Sequence, residues 1–304
     1  MTAAGDGRSG RAQHGAGGFD IVYRLREHRD GLSPVEQRIA DAILADVGAA
    51  AQMGIAELAA RARVSAAGIS RFAKALGYAN VRELRARLAE AGAVGKRFLD
   101  EPDAPPVSAL YAQICSDIEA ALRRNLGGMK EPVVQAAAEA LAGARTVHAL
   151  GMGGASSVLA REAQNRFVRL GRTVIPCSDS LSMRMLAATL GPQDVVFALS
   201  ISGLTPELLA AVDIARGYGA RVVSITREAT PLAQRSDWLL PIVIDETDFV
   251  FKPTASRYAM MLAIDILATT LALHQADGNR ERLRRIKLAL DTYRGGDNRL
   301  PLGD

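Results

Sequence analysis

The sequence predicts an all-α domain followed by an α/β domain, and three observations carry that prediction. The 304 residues, 49% of them apolar, suffice for two packed cores. Apolar residues recur at helical spacing up to residue 99, whereas from Arg145 onward short apolar, β-rich runs alternate with helical stretches. Between the two textures lies an acidic, proline-rich run, residues 100–106, which predicts a semi-rigid linker.

The first predicted helix follows an irregular N-terminal segment. Residues 1–18 are rich in glycine and alanine and lack the apolar stretch of a signal peptide, so we expect a disordered tail. A helix begins after Ser33, because Ser33-Pro34-Val35-Glu36 is a capping box with proline at the first helical position. Its apolar stripe consists of Val35, Ile39, Ala42, Ile43 and Val47.

Residues 55–76, IAELAARARVSAAGISRFAKAL, predict two short helices joined by a tight turn. Val64 is the buried residue of the turn, and Ser65 caps the second helix by accepting a hydrogen bond from an early backbone N–H. That second helix, Ala66–Leu76, has two faces: Ile69, Phe72 and Leu76 point inward, and Ser70, Arg71 and Lys74 point outward. The pattern is typical of a helix-turn-helix, whose second helix enters the major groove of DNA.

The charge distribution favours DNA over the alternative, a helical turn that binds no nucleic acid. Residues 61–97 contain nine Arg or Lys and two Asp or Glu. Residues 1–100 carry fifteen basic and eleven acidic groups, whereas residues 101–304 carry twenty-two of each. The net charge of +4 therefore lies on the part with the motif, as attraction to phosphates requires. A further helix, residues 81–91, carries Arg82, Arg85 and Arg87.

The second half of the chain predicts a three-layer α/β domain with a mostly parallel sheet. After helices at residues 107–126 and 132–141, the predicted strands are residues 146–150, 173–176, 195–199, 221–225 and 238–244. These strands are continuously apolar, as expected when both faces are covered. The intervening helices are residues 156–170, 181–190 and 206–218, with a short turn near Leu232 and a long final helix at residues 254–274. We expect the basic run 280–287 to be a solvated helical face rather than a second DNA contact.

Two loops of this domain combine glycine with hydroxyl groups at predicted strand ends. They are Gly151-Met152-Gly153-Gly154-Ala155-Ser156-Ser157 and Ser200-Ile201-Ser202-Gly203-Leu204-Thr205. Ligands of parallel sheets bind beyond the carboxyl ends of the strands, and helix N-termini attract anions, so both loops could converge on one phosphate. The alternatives are ordinary capped turns, or a dinucleotide fingerprint. The fingerprint fits poorly, because Ser156 replaces its third glycine and the acidic residue expected further on is missing.

In combination, these motifs resemble a known family. S-x-S-G-x-T after the third strand, preceded by a glycine-rich first turn, resembles the sugar isomerase (SIS) domain, which binds phosphosugars. A helix-turn-helix joined to an SIS domain is the architecture of RpiR-type transcriptional regulators, and the resemblance covers residues 20 to 275. It implies DNA recognition by the helix Ala66–Leu76, with Arg63, Ser65, Ala67, Ser70, Arg71 and Lys74 as candidates. It implies phosphate recognition by Ser156, Ser157, Ser200, Ser202, Gly203 and Thr205.

The chain departs from the family pattern at three places. Gly68 stands where the family usually has threonine. Glycine at this position costs roughly 1 kcal/mol of helix stability and removes a possible base or phosphate contact. Arg63 replaces the glycine usual in the turn, and the first loop is one residue longer than usual. The stretch 247–257, with Asp265, is similar to a subgroup that senses keto-deoxy sugar-acid phosphates. There Lys252 and Arg257 either pair with a carboxylate or are surface residues.

Composition and residue spacing argue against a metalloprotein, a membrane protein and an isomerase. Cys115 and Cys177 form no disulfide framework and fit a reducing cytoplasm, and the scattered histidines have no metal-ligand spacing, so we expect no metal and no cofactor. No segment approaches twenty consecutive apolar residues, so no membrane contact is expected. Glu162, Glu207 and His148 are the candidate general bases of an isomerase, but none has a partner legible from sequence.

The sequence therefore predicts a cytoplasmic regulator rather than an enzyme. Its expected domains are residues 19–99 (helix-turn-helix), 107–278 (SIS) and 279–304 (C-terminal tail). One expected partner is a double-stranded DNA operator with the sequence of an inverted repeat. The others are a phosphorylated sugar or sugar-acid effector and further copies of this chain in a homodimer or homotetramer. The alternatives are a phosphosugar isomerase with an accessory helical domain, and a constitutive DNA-binding protein whose SIS domain only dimerises.

Overall fold

The computed structural model describes residues 20–95, 98–99, 106–245, 251, 253–295 and 302. The chain divides into two compact units, Met1–Ala104 with Asp248–Val250, and Pro105–Thr247 with Phe251–Asp304. The predicted tail, residues 1–18, lies outside the described residues, and so does the predicted linker except for Pro106.

The first unit is built from six α-helices among the residues that the structure describes. They are α1 (Ile21–Glu27), α2 (Pro34–Leu44), α3 (Val47–Gln52), α4 (Ile55–Ala62), α5 (Ala66–Ala75) and α6 (Val81–Gly92). The predicted capping box starts α2: the Ser33 hydroxyl accepts the Glu36 N–H, and the Glu36 carboxylate accepts the Ser33 N–H at 2.9 Å. The predicted helical character of this half of the chain is confirmed.

One apolar core joins these helices. The short helix α3 contributes Val47, Ala50 and Ala51 to this core. The other five helices supply its large, fully buried side chains, Leu25, Ile39, Ile43, Leu58, Ile69, Phe72, Leu84 and Leu88. Arg85 ties α6 to the end of α3, since its guanidinium donates to the carbonyls of Ala51 (3.0 Å) and Gln52 (2.9 Å). Those carbonyls have no partner further along their own helix, so Arg85 caps α3.

The second unit begins with two helices and continues as alternating strands and helices. Its elements are α7 (Val107–Gly128), α8 (Glu131–Gly143), β1 (Thr146–Gly151), α9 (Gly154–Val168), β2 (Val174–Cys177), α10 (Ser180–Ala187), β3 (Asp194–Leu199), α11 (Pro206–Gly217), β4 (Arg221–Thr226), α12 (Pro231–Gln234), β5 (Trp238–Pro241), α13 (Ser256–His274) and α14 (Ala276–Tyr293). The predicted α/β alternation is confirmed, although the last strand ends at Pro241 rather than at residue 244.

The five strands form one sheet in the order β2-β1-β3-β4-β5, and every neighbouring pair is parallel. Alternate residues enter two cores. Val147, Phe197 and Ile225 belong to the core that includes residues of α8, α9 and α13, whereas Val196 and Val222 belong to the core formed with α10 and α11. Helices thus cover both faces of the sheet, which explains the continuously apolar strands.

Two helices close the second unit. By length and composition α13 is apolar enough to cross a membrane, but residues along its length, from Ser256 to Leu271, are buried inside the unit. Residues 279–293, assigned from sequence to a tail, form most of α14, which is anchored by the buried Asn279 side chain donating to the Leu271 and Ala272 carbonyls. Its basic residues are paired within the helix, and Arg284 and Arg285 lower the pKa of Glu281 to about 2.

Candidate functional site

The turn between α4 and α5 is held by an arginine in the left-handed backbone region. Arg63 has φ 54° and ψ 48° and ends α4, with its N–H donating to the Ala60 carbonyl at 3.1 Å. The Val64 N–H then donates to the Ala59 carbonyl at 2.9 Å, which turns the chain toward α5. This is the conformation for which a glycine is usual, so Arg63 stands where the typical turn glycine would.

The two faces of α5 lie as the sequence predicts. The Ser65 hydroxyl accepts the Gly68 N–H at 3.1 Å, and Ile69 and Phe72 are at most 1% exposed. On the other side Arg71 and Lys74 are exposed, and so is Ala67 near the start of the helix. The Ser70 hydroxyl is half-exposed and donates to the carbonyl of Ala66 at 3.3 Å.

Gly68 belongs to the inward face of α5. It is buried, and a side chain at this position would contact Ser65 and Val64 at 3.5–3.7 Å, which is ordinary van der Waals distance. A Cβ atom at position 68 would thus face the turn, and the loss of a base or phosphate contact through glycine stays a prediction. The cost of glycine in helix stability is a separate effect.

The two loops rich in glycine and hydroxyl groups, which follow β1 and β3, lie at the carboxyl ends of the strands. β1 and β3 are neighbours, with Gly151 in register with Leu199, so the loops that follow them leave the sheet side by side. Each loop leads into a helix, α9 or α11, whose N-terminus has no side-chain cap. Unpaired N–H groups of two helices therefore face the same edge, an arrangement that suits an anion.

The loop after β3 is ordered by its own hydroxyls. The Ser200 hydroxyl accepts the Gly203 N–H at 3.0 Å, and the Ser202 hydroxyl accepts the Leu204 N–H at 3.3 Å. Ser200 is buried, Ser202 is exposed, and Thr205 precedes α11 without capping it. All three hydroxyls retain a proton that they can donate to a ligand.

Gly203 is required by the geometry of that loop. Its φ is +69°, and a Cβ atom at this position would lie 2.3 Å from Thr230 Oγ1 and 2.7 Å from Thr226 Oγ1. The Thr230 hydroxyl is itself held by the Arg227 carbonyl at 2.9 Å. The loop after β3 therefore packs directly on the loop after β4.

The loop after β1 is equally close-packed. A Cβ atom at Gly151 would lie 2.2 Å from the Ser156 carbonyl oxygen, and Gly153 has φ 81°. Ser156 is buried, while the Ser157 hydroxyl donates to the Gly153 carbonyl at 2.6 Å. This loop contains two of the serines predicted to bind phosphate, Ser156 and Ser157. The Ser157 hydroxyl is turned toward the backbone of its own loop.

A cleft of about 330 Å³ opens beside the start of α9. It is lined by Ser157, Val158, Arg161, Glu162, Asn165, Pro176, Cys177 and Ser178. Sequence reasoning missed Arg161 and Ser178. The signal for Arg161 is its position one turn after Ser157, whereas Ser178 is brought in only by the pairing of β1 with β2.

The candidate general bases are placed differently. The Glu162 carboxylate accepts Arg166 Nε at 2.6 Å. His148 is buried within β1, where burial lowers its pKa, and its Nδ1 finds no hydrogen-bond partner among the described residues. Glu207 lies in the first turn of α11. Within the same described part of the chain, no group of three or more His, Cys, Asp or Glu is placed to hold a metal ion.

The stretch similar to the sugar-acid subgroup is described only in part. Residues 246–250 and Lys252 lie outside the described residues. The Arg257 guanidinium donates to the Thr254 carbonyl at 3.2 Å and lies 4.6 Å from the centre of the Tyr258 ring. Arg257 is therefore an exposed residue that contacts its sequence neighbours. The Asp265 carboxylate pairs with Arg166, with 3.5 Å between Oδ1 and Nε.

Comparison with known proteins identifies both units. The profile of the helix-turn-helix domain of the rpiR family matches residues 19–94, and that of the SIS domain matches residues 140–270. The HTH-type transcriptional regulator HexR of Pseudomonas aeruginosa is 31% identical over 275 residues, which cover 89% of this chain and 95% of that protein. HexR of Escherichia coli K12 is 27% identical and covers 94% of this chain and 99% of its own.

A solved structure has the same fold. The Vibrio vulnificus NanR protein, complexed with ManNAc-6P, superposes with a TM-score of 0.57 at 22% identity, over 88% of this chain and 97% of that one.

Proposed function

This chain belongs to the RpiR-type transcriptional regulators, which join a helix-turn-helix domain to an SIS domain, and we propose that it is an effector-controlled DNA-binding protein. In this proposal α5 reads an operator. A phosphorylated sugar or sugar acid binds at the sheet edge formed by the loops after β1 and β3, and its binding changes the affinity for the operator. The protein acts in the cytoplasm as a homodimer or homotetramer.

One observation carries the effector half of the proposal. The ends of β1 and β3 place two uncapped helix N-termini side by side, with the hydroxyls of Ser200, Ser202 and Thr205 at the second one. A phosphate bound there would accept bonds from backbone N–H groups and hydroxyls without a buried counter-charge. Ser156 and the backbone of Gly203 complete the proposed phosphate site, and Ser157 lies at its border with the cleft.

The DNA half rests on the outward residues of the turn and of α5. Arg63 is an exposed cation of the turn. Arg71 and Lys74 are exposed cations on the side of α5 opposite the buried Ile69 and Phe72. We assign them, with Ser65, Ala67 and Ser70, to DNA contact. Cations at the rim of the helix suit phosphates, whereas residues on its outward face reach base edges.

Each candidate base for the competing function, phosphosugar isomerisation, has another explanation in the fold. Glu162 is engaged by Arg166, and His148 is buried within β1. Glu207 is in a helix first turn, where a carboxylate is favourable for the helix dipole alone. We therefore propose that ligand binding is not followed by turnover.

Regulation is proposed to be a population shift. The effector binds one arrangement of the paired subunits better than the other. The spacing of the two helix-turn-helix domains then changes, and with it their affinity for the operator. A ligand with equal affinity for both arrangements would change nothing, so the proposal requires that effector affinity differ between free and operator-bound protein.

The test is a thermal-shift screen of sugar phosphates and phosphorylated sugar acids, followed by operator binding with each hit. A true effector at one hundred times its Kd should stabilise the protein by about 2.7 kcal/mol. A Ser200→Ala, Ser202→Ala double variant should lose at least ten- to one-hundredfold in effector affinity while still binding operator. The matched control, Ser108→Ala with Ser116→Ala on exposed positions of α7, should behave as wild type.

Three results would contradict parts of the proposal. Undiminished effector affinity in the double variant would place the ligand elsewhere. Conversion of a bound sugar phosphate to its isomer would establish the enzyme alternative. A protein that binds operator but responds to no ligand in the screen would be the constitutive alternative.

A further inference from the structure

The outward face of α5 has an unusual composition for a helix that reads DNA. Successive helical residues turn by about 100°, so Ala67, Arg71 and Lys74 fall on one side, with Ala67 nearest its centre. The opposite side is filled by Ile69, Phe72 and Ala73, which are at most 1% exposed. The first turn of the outward face, the part of a recognition helix that contacts base edges, thus presents Ala67.

The two nearby hydroxyls are both bonded to the backbone of the helix. Ser65 is held at the cap, where its oxygen accepts the Gly68 N–H at 3.1 Å. Ser70 turns its hydroxyl back to the Ala66 carbonyl at 3.3 Å. At the centre of the outward face the first turn therefore presents the Ala67 methyl group, and the first long polar side chain on this face is Arg71, one turn further along.

Each of these groups has a preferred base edge. A methyl group discriminates by contact with the C5-methyl of thymine, which no other base carries in the major groove. An arginine forms two parallel hydrogen bonds with O6 and N7 of guanine. Four helical residues span about 6 Å, and base pairs are stacked about 3.4 Å apart, so the two contacts lie within about two base pairs of each other.

We propose that each operator half-site contains a thymine read through its methyl group by Ala67 and, within about two base pairs of it, a guanine read by Arg71. This inference rests on the proposed DNA-binding function and adds the identity of the bases. Exposure of Ala67 and Arg71 on one side of the helix and burial of the opposite side carry it together.

The test begins with operator sequences selected from random duplex DNA by the full chain. Each thymine of a selected half-site is then replaced by deoxyuridine, which lacks only the methyl group, and affinity is measured by fluorescence anisotropy at fixed salt. Wild type should lose about three- to fivefold at one thymine per half-site, as expected for one buried methyl. Replacement at the other thymines should change little.

Variants assign that loss to a residue. Ala67→Gly should bind the thymine and deoxyuridine operators equally. Ala75→Gly is the matched control, because Ala75 is an exposed alanine in the last turn of the same helix, and it should keep the wild-type difference. Likewise, replacing the half-site guanine with 7-deazaguanine should weaken wild type about tenfold and leave Arg71→Ala unchanged.

The outcomes separate this inference from the function on which it rests. If specific sequences are selected but no thymine is sensitive to methyl loss, or if Ala67→Gly keeps the sensitivity, the thymine assignment is wrong and DNA binding stands. If 7-deazaguanine has no effect, or weakens Arg71→Ala equally, the guanine assignment is wrong. If no sequence is enriched at all, the proposed operator binding fails, and this inference fails with it.

Discussion

Arg63 occupies a backbone conformation that costs a non-glycine residue about 1–2 kcal/mol, and it is exposed at the turn before α5. We predict that Arg63→Gly stabilises the first unit, because glycine adopts this conformation without strain. Operator affinity should nevertheless fall, and the salt dependence of binding should decrease by about one charge, because a phosphate contact is lost. Hydrogen exchange of α4 and α5 amides measures the first effect and titrations at several salt concentrations the second. A variant that is more stable and binds DNA equally well would remove Arg63 from the interface.

We predict that His148 makes the stability of the second unit sensitive to mild acid. Its burial lowers its pKa, so below about pH 6.5 the unfolded chain binds a proton that the folded chain does not. Stability is therefore complete above that pH and decreases as pH falls, by at most about 1.4 kcal/mol per pH unit. Burial opposes ionisation of neighbouring Asp194, but bonds from Arg145 and the Gly191 N–H outweigh it and lower its pKa, so Asp194 stays charged in this window.

Urea titrations between pH 7 and pH 5, followed by fluorescence of Trp238, would measure this dependence in the second unit. His148→Leu should flatten it, since leucine takes up no proton. The exposed His274 provides the matched control, and His274→Gln should leave the slope unchanged. An equal slope in wild type and His148→Leu would assign the acid sensitivity to other groups.

At the scale of elements, the loop after β3 depends on one glycine. Gly203→Ala combines a positive φ with an overlap against Thr230 Oγ1, and we predict a loss of about 2 kcal/mol or more in unfolding free energy. The distorted loop should also lose effector binding. Gly217→Ala, in the last turn of α11 with open space around it, is the control and should be neutral or slightly stabilising. Calorimetry with an effector from the screen checks both, and wild-type affinity in Gly203→Ala would show that the ligand does not use this loop.

Elements with local signals could be predicted, and those without could not. The capping box of α2, the two faces of α5 and the S-x-S-G-x-T loop are each written in consecutive residues, and the structure places them as predicted. Two helices, α1 and α3, escape prediction because they have seven and six residues and no extended apolar stripe. The packing of Gly203 on Thr230 and the capping of α3 by Arg85 join residues 27 or more positions apart, which no local pattern reveals.

At the scale of the whole molecule, the proposed assembly makes a prediction about DNA geometry. One recognition helix contacts few bases and binds weakly, whereas two helices related by a two-fold axis bind half-sites one DNA turn, about 10 base pairs, or a multiple of it apart. We predict that the protein is a homodimer or homotetramer and that its selected operator is an inverted repeat. Light scattering at micromolar concentration measures the assembly, and a stable monomer there would contradict it.

Changing the number of base pairs between the two half-sites tests whether both helix-turn-helix domains of a dimer bind at once. Inserting about 5 base pairs between the half-sites turns one of them to the opposite side of the DNA, and affinity should then fall by a factor on the order of 100, toward that of a single half-site. Inserting about 10 base pairs restores the facing and should recover part of that loss. If the 5-base-pair insertion has no effect, the two domains bind independently of each other. An effector could not then act by changing the arrangement of paired subunits, and the effect of ligand on DNA binding would have to arise within one chain.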